Sequence, residues 1–171
     1  MDNHFALFQM PVSFDIDAGQ LDAAFRELQG RVHPDRFAAA SDAEKRVAMQ
    51  WATRANEAYQ TLKHPLKRAT YLCELNGVDL GIESNTAMPP AFLMQQMEWR
   101  EALDEAREDK DVSALETLER ELAEARRERL AQISGLFSAG DYRAAGAQVR
   151  QLMFLEKFGE DVGRAFDVID A

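Results

Sequence analysis

The sequence predicts an all-α protein of two modules: a helical hairpin with flanking helices, then a bundle of three long helices. Three observations carry that expectation. Apolar residues recur at steps of three and four along nearly the whole chain. Capping pairs and prolines fall at the ends of those periodic stretches. No apolar–polar alternation runs long enough to mark a strand.

The elements follow in order. Phe5 and Phe8 predict a short first helix that stops before Pro11. Asp17 and Gln20 are spaced as an N-cap and its N3 partner and start a second helix. Its face is Leu21, Phe25, Leu28 and Val32, and Pro34 ends it, leaving His33 at or past the helix end. Ser41 and Glu44 form another capping-box pattern. The face Ala48, Trp51, Ala55, Ala58 and Leu62 follows at helical spacing, so helices two and three should pair antiparallel around a loop from His33 to Ala40. Pro65 suits the first turn of a fourth helix with Ala69, Leu72 and Cys73 inward, and Asn76-Gly77 as its stop.

The expected boundaries are residues 1–76 for the first module, 77–89 for a Gly- and Pro-containing elbow, and 90–171 for the second. The second module reads as helices over about Pro90 to Asp109, Val112 to Phe137, and Asp141 to the C-terminus, with Gly159 and Gly163 as candidate breaks. Short connections at Lys110-Asp111 and Gly140 favour an antiparallel three-helix bundle.

Composition narrows the function. Of 171 residues, 46% are hydrophobic and 29% charged, which suits a packed core and excludes wholesale disorder. The net charge of -10 argues against nucleic acid, because phosphate binding needs concentrated Lys and Arg. The charge is uneven: residues 1–76 are near neutral and residues 77–171 strongly acidic, which suggests different partners for the two modules. A lone Cys73 permits no internal disulfide and fits a reducing compartment. The start lacks secretory or transit-peptide character, and no run is apolar enough to span a membrane, so a cytoplasmic location is expected. No metal or other cofactor is expected.

The strongest local signal is His33-Pro34-Asp35 between two helices with complementary apolar faces. Pro34 fixes one φ angle and lowers the entropy lost on docking. Asp35 offers a carboxylate to a partner's arginine, and His33 a ring with two nitrogens. The bland alternative is a local turn or cap, since Pro and Asp are common turn residues. An enzyme is the least supported reading: there is no Gly-rich phosphate loop or serine elbow, His64-Pro65 reads as helix punctuation, and Cys73 sits in an apolar stripe.

The second module has more apolar residues than one packed face needs. Phe92, Trp99, Leu103 and Ala106 share one face; Leu93, Met94 and Met97 lie beside it. Leu152, Met153, Phe154 and Leu155 are consecutive and cover most of a helix circumference, so at least one points outward. Glu98, Glu101, Glu105 and Glu108 form an acidic stripe suited to a basic partner. The competing readings are wide core burial and a solvated stripe paired with Arg100 and Arg107.

Over roughly Asp2 to Leu75 the chain resembles the J-domain family, whose defining loop is His-Pro-Asp between helices two and three. The resemblance implies that this loop and a basic face of helix two dock on a DnaK-type ATPase. Arg26, Arg31 and Arg36 match that face loosely. A narrower resemblance covers nearly the whole chain. The run Arg68 to Leu72, the run Ala91 to Glu98 and the run Val149 to Lys157 are similar to segments of the HscB family, J-domain co-chaperones of iron–sulfur cluster biogenesis. This family resemblance implies an L-shaped all-α molecule, with an N-terminal J-domain and a C-terminal three-helix domain. It implies binding of the scaffold protein IscU through Leu93, Met94, Met97, Glu98, Glu101 and Phe154, and delivery to the chaperone HscA. Some members carry an N-terminal cysteine pair for metal, which this chain lacks. The alternatives are a general J-domain co-chaperone for other clients and a non-chaperone helical adaptor.

Overall fold

The computed structural model describes residues 3–81 and 88–170, the last by its backbone alone. It contains α1 (His4–Leu7), α2 (Ala18–Val32), a 3₁₀ turn (Pro34–Phe37), α3 (Asp42–Lys63), α4 (Pro65–Leu75), α5 (Pro90–Asp109), α6 (Val112–Ser138) and α7 (Tyr142–Asp170). Among the described residues there is no strand, so the fold is all-α. The chain divides into two compact units, Met1–Leu75 and Asn76–Ala171. Residues 82–87 of the expected elbow lie outside the described residues.

In the first unit, α1 is one turn, capped where Asn3 Oδ1 accepts from the Ala6 N–H at 2.8 Å. It delivers Phe5 and Phe8 to the core. The Tyr71 ring of α4 stacks on His4 at 4.3 Å, and its hydroxyl accepts from the His4 N–H at 2.9 Å. α2 begins where Asp17 Oδ1 accepts from the Gln20 N–H. Of its expected face only Leu21 is fully buried; Phe25, Leu28 and Val32 are half-buried.

α2 is held to α3 at one end. Phe25 stacks on Tyr59 at 4.1 Å. The Tyr59 hydroxyl donates to Asp22 Oδ1 at 2.7 Å, and Lys63 Nζ donates to the same oxygen at 2.8 Å. α3 presents Ala48, Ala55, Ala58 and Leu62 to the core, and small alanines let the helices approach closely. Trp51 departs from the expected core face and is 40% exposed. It borders a shallow apolar depression shared with Val32 at the end of α2, Phe37 of the 3₁₀ turn and Val47 of α3. At Ser41 the cap differs in detail from a reciprocal box. Its Oγ accepts from the Glu44 N–H and also lies 3.2 Å from Glu44 Oε1, to which the hydroxyl donates. Arg68 of α4 is buried, donates to the Leu62 carbonyl at 2.6 Å, and sits 4.8 Å from the Phe14 ring centre. It thereby satisfies one of the carbonyls that the end of α3 leaves open.

In the second unit, Lys110 adopts φ 50° after α5, and the Asp111 N–H returns to the Ala106 carbonyl at 2.9 Å. Asp111 then caps α6 by accepting from the Ala114 N–H. Gly140 (φ +76°) and Asp141 repeat the device between α6 and α7. α7 runs without a break through Gly159 and Gly163, contrary to the expectation from the glycines. At Gly159 a Cβ would stand 3.3 Å from Leu122 Cδ2, so glycine there serves close helix packing rather than a break. Leu80 is buried, and its carbonyl accepts from Arg150 of α7 at 3.3 Å.

The Asp22 carboxyl is held below its ordinary value of 3.8 by the hydrogen bonds from Lys63 and Tyr59. A lowered folded-state value contributes stability that is present above the ordinary value and lost as pH falls below it. Asp22→Asn is therefore expected to flatten the acid side of the stability profile. Thermal melts followed by circular dichroism at about pH 5 and about pH 3 check this. The wild type should lose more melting temperature between the two than the variant.

Candidate functional site

The structure places His33 directly after α2 in extended conformation (φ -61°, ψ 137°), as a residue before proline requires. Pro34 opens the 3₁₀ turn, where its missing N–H costs nothing. His33 Nδ1 accepts from the Asp35 N–H at 3.2 Å, so the histidine ring caps its own turn. That bond requires an unprotonated Nδ1 and leaves Nε2–H as the outward donor of the neutral ring. Asp35 Oδ2 lies 3.6 Å from the same nitrogen, beyond good hydrogen-bond range. The Asp35 side chain is 92% exposed. The three residues thus divide the work: His33 and Pro34 shape the turn, and Asp35 is presented outward.

Arg26, Arg31 and Arg36 are all exposed. Arg31 donates to Glu27 at 2.5 Å one turn earlier, and Arg26 acts electrostatically on Asp22. Five residues apart on a helix, Arg26 and Arg31 stand about 140° apart around its axis. The structure therefore does not gather the three into one basic stripe; Arg36, inside the turn beside Asp35, is the cation nearest the loop in sequence.

In the second unit, α5 and α7 form a groove of about 830 Å³. Leu93, Met94 and Met97 of α5 and Phe154 of α7 line it and are 42%, 62%, 70% and 47% exposed. Phe92, Trp99, Leu103 and Ala106 are buried, so the two stripes of α5 separate cleanly into a core face and an open face. Of the four consecutive apolar residues in α7, Leu152 and Leu155 are buried and Phe154 points out. Phe92 meets Phe154 edge-on at 6.5 Å, and Trp99 stacks on Phe158 at 5.8 Å, so a rigid aromatic floor supports the groove. Glu98 and Glu101 stand among its lining residues. Glu105 and Glu108 continue beside Asp104 in a neighbouring depression with Val168.

Gln96, Arg100, Lys157 and Phe158 are among the lining residues that were not foreseen. Arg100 leaves the glutamate stripe to pair with Asp161 at 3.0 Å and covers Phe158 at 5.2 Å. Phe158 and Lys157 also line the groove. Phe158 stands one turn beyond Phe154, and that i, i+4 spacing was the available signal. The pairing of Arg100 with Asp161 had none, because it joins residues 61 apart.

A hairpin that presents an exposed, self-capped His-Pro-Asp turn, in a chain with a separate helical bundle, defines a J-domain co-chaperone. Comparison with known proteins narrows the class. Residues 88–163 match the family model described as the HSCB C-terminal oligomerisation domain. The Co-chaperone protein HscB homolog of Cupriavidus taiwanensis is 59% identical over 99% of this chain and 96% of its own length. That of Burkholderia mallei is 57% identical over 99% and 97%. Among solved structures, chaperone HscB from Vibrio cholerae superposes with a TM-score of 0.86 at 39% identity, covering 98% of this chain and 99% of its own. The human co-chaperone HscB gives 0.89 at 28% identity, covering 95% and 81%. The chain belongs to the HscB family, J-domain co-chaperones of iron–sulfur cluster biogenesis. Among the described residues no helix is long and apolar enough to cross a membrane.

Because the Asp35 carboxylate makes no short bond among the described residues, Asp35→Asn should leave the melting temperature unchanged. A fall of several degrees in a thermal melt would show instead that the carboxylate braces the turn.

Proposed function

We propose that this protein binds the scaffold protein IscU through the α5–α7 groove and delivers it to the DnaK-type chaperone HscA. The His33-Pro34-Asp35 turn then stimulates the chaperone's ATPase. The protein performs no chemistry of its own and works in the cytoplasm. One observation carries the reading: two separate units each expose one recognition feature that their own packing does not use. These are the Asp35 carboxylate in the first and the apolar face Leu93, Met97 and Phe154 in the second.

Magnitudes assign the roles within the groove. Full burial of a large apolar side chain is worth about 1.5–3 kcal/mol. Leu93, Met97 and Phe154 are on average already about half-buried, so three anchors offer roughly 2–5 kcal/mol before an association cost of about 4–15 kcal/mol. Apolar contact alone leaves a weak complex. Glu98 and Glu101 supply orientation and a faster encounter with a basic partner surface, and Met94 and Met97 adapt to its shape. Holding client and chaperone at once raises the client's local concentration at the chaperone.

The two features should fail separately. His33→Gln is expected to abolish stimulation of the HscA ATPase while leaving IscU affinity intact. The pair Leu93→Ala and Phe154→Ala should do the reverse, weakening IscU binding by about 10- to 100-fold, as loss of central anchors does. ATPase assays with and without IscU, beside calorimetric binding, check both. Full stimulation by His33→Gln would refute the role of the turn.

A further inference from the structure

The groove between α5 and α7 carries charge of both signs. Glu98, Arg100, Glu101 and Lys157 stand around its apolar floor. The two cations are employed differently. Arg100 is committed within the unit: it pairs with Asp161 at 3.0 Å and covers Phe158. Lys157 is exposed, and among the described residues its ammonium pairs with no carboxylate. The carboxylates within a turn of it are taken or poorly placed. Glu156 accepts from Arg126 at 2.7 Å. Asp161 holds both Arg100 and Arg164. Glu160 follows Lys157 by three residues, and a carboxylate C-terminal to a lysine is the weaker order for a helical pair. In a strongly acidic unit, one groove-lining cation is thus left without a partner.

The place of Lys157 decides what its charge does. It stands three residues after Phe154, so the two share the groove side of α7. A partner seated on Phe154 covers the lysine stem and takes water from the ammonium. An ammonium that loses water needs an acceptor in return. A partner surface that is basic throughout, as Glu98 and Glu101 alone would favour, offers none and is repelled. A surface with a carboxylate beside its basic residues offers one. The groove therefore distinguishes a merely basic surface from one of mixed sign. The apolar anchors make no such distinction, because burial of area has no direction.

We propose that Lys157 is a specificity-determining residue of the groove: it receives a carboxylate of the scaffold protein that lies beside the basic residues facing Glu98 and Glu101. The proposal rests on the scaffold-binding reading of the groove and deepens it. The anchors hold, the glutamates attract, and Lys157 selects among the basic surfaces they would otherwise accept alike.

The test is a calorimetric titration of IscU into the full-length protein and into Lys157→Met, Lys157→Arg and Lys157→Glu. Methionine keeps an apolar stem and removes the charge, and the position is exposed, so the fold is untouched. Lys157→Met should weaken IscU binding about fivefold, and Lys157→Arg should keep it within about twofold. The loss should shrink between about 50 mM and about 500 mM salt, because an ion pair is screened. The sign is decisive. Removing a cation from an acidic groove strengthens its hold on a surface that is basic throughout, so a tighter or unchanged complex overturns the proposal. A loss that arginine does not rescue, or that salt does not diminish, belongs to packing of the stem and overturns it too. Lys157→Glu should lose about tenfold, and one IscU surface Asp or Glu changed to Lys should recover most of that loss. Recovery by none of them overturns the proposal. These outcomes are separate from failure of the scaffold reading, which shows as equal IscU affinity of the wild type and of Leu93→Ala/Phe154→Ala.

Discussion

The first unit depends on the clamp between α2 and α3. α2 has one fully buried side chain, Leu21, so it does not hold its place by core burial alone. It is held by the stack of Phe25 on Tyr59 and by Asp22, which collects the Tyr59 hydroxyl and the Lys63 ammonium. These contacts lie eight or more residues before His33, on the order of 12 Å along the helix. The turn is therefore carried at the far end of a hairpin whose polar and aromatic clamp lies at the other end, with Val32 and Phe37 beside α3 at its base. That arrangement gives an exposed loop a rigid base, which lowers the ordering cost when a partner docks.

The turn itself is economical. Backbone donors in an exposed loop normally fall to water. Here the Asp35 N–H is taken by the ring of His33, two residues earlier, and Pro34 has no N–H to satisfy. The loop keeps its shape without recruiting the Asp35 carboxylate, which stays available. A histidine that braces and an aspartate that waits explain why both residue types are needed in one tripeptide.

The second unit works by excess rather than economy. Three antiparallel helices need one apolar face each, and α5 has two. Phe92, Trp99, Leu103 and Ala106 complete the bundle, which leaves Leu93, Met94 and Met97 open beside Phe154. The stacking of Trp99 on Phe158 and the bond from Trp99 Nε1 to Glu121 at 3.1 Å stiffen the floor beneath them. The methionines above that floor remain adaptable.

Much of this was determined by the sequence alone, because its signals are local. Asp17, Ser41 and Asp111 cap the helices they precede, and Pro34 and Pro65 stand at helix starts, since each acts within one turn of backbone. The buried and open stripes of α5 followed from helical spacing, which depends only on 3.6 residues per turn. Where local signals misled, a distant neighbour had decided the outcome. Trp51 has core spacing yet stays 40% exposed, beside Val32 and Phe37 at the edge of the hairpin. Gly159 looks like a helix break yet lies inside α7, where a Cβ would stand 3.3 Å from Leu122 Cδ2 of α6. The pairing of Arg100 with Asp161, and the pocket formed by Val32, Phe37, Val47 and Trp51, join residues from different elements. Such groupings are set by how helices cross and where they end, and only the tertiary structure decided them.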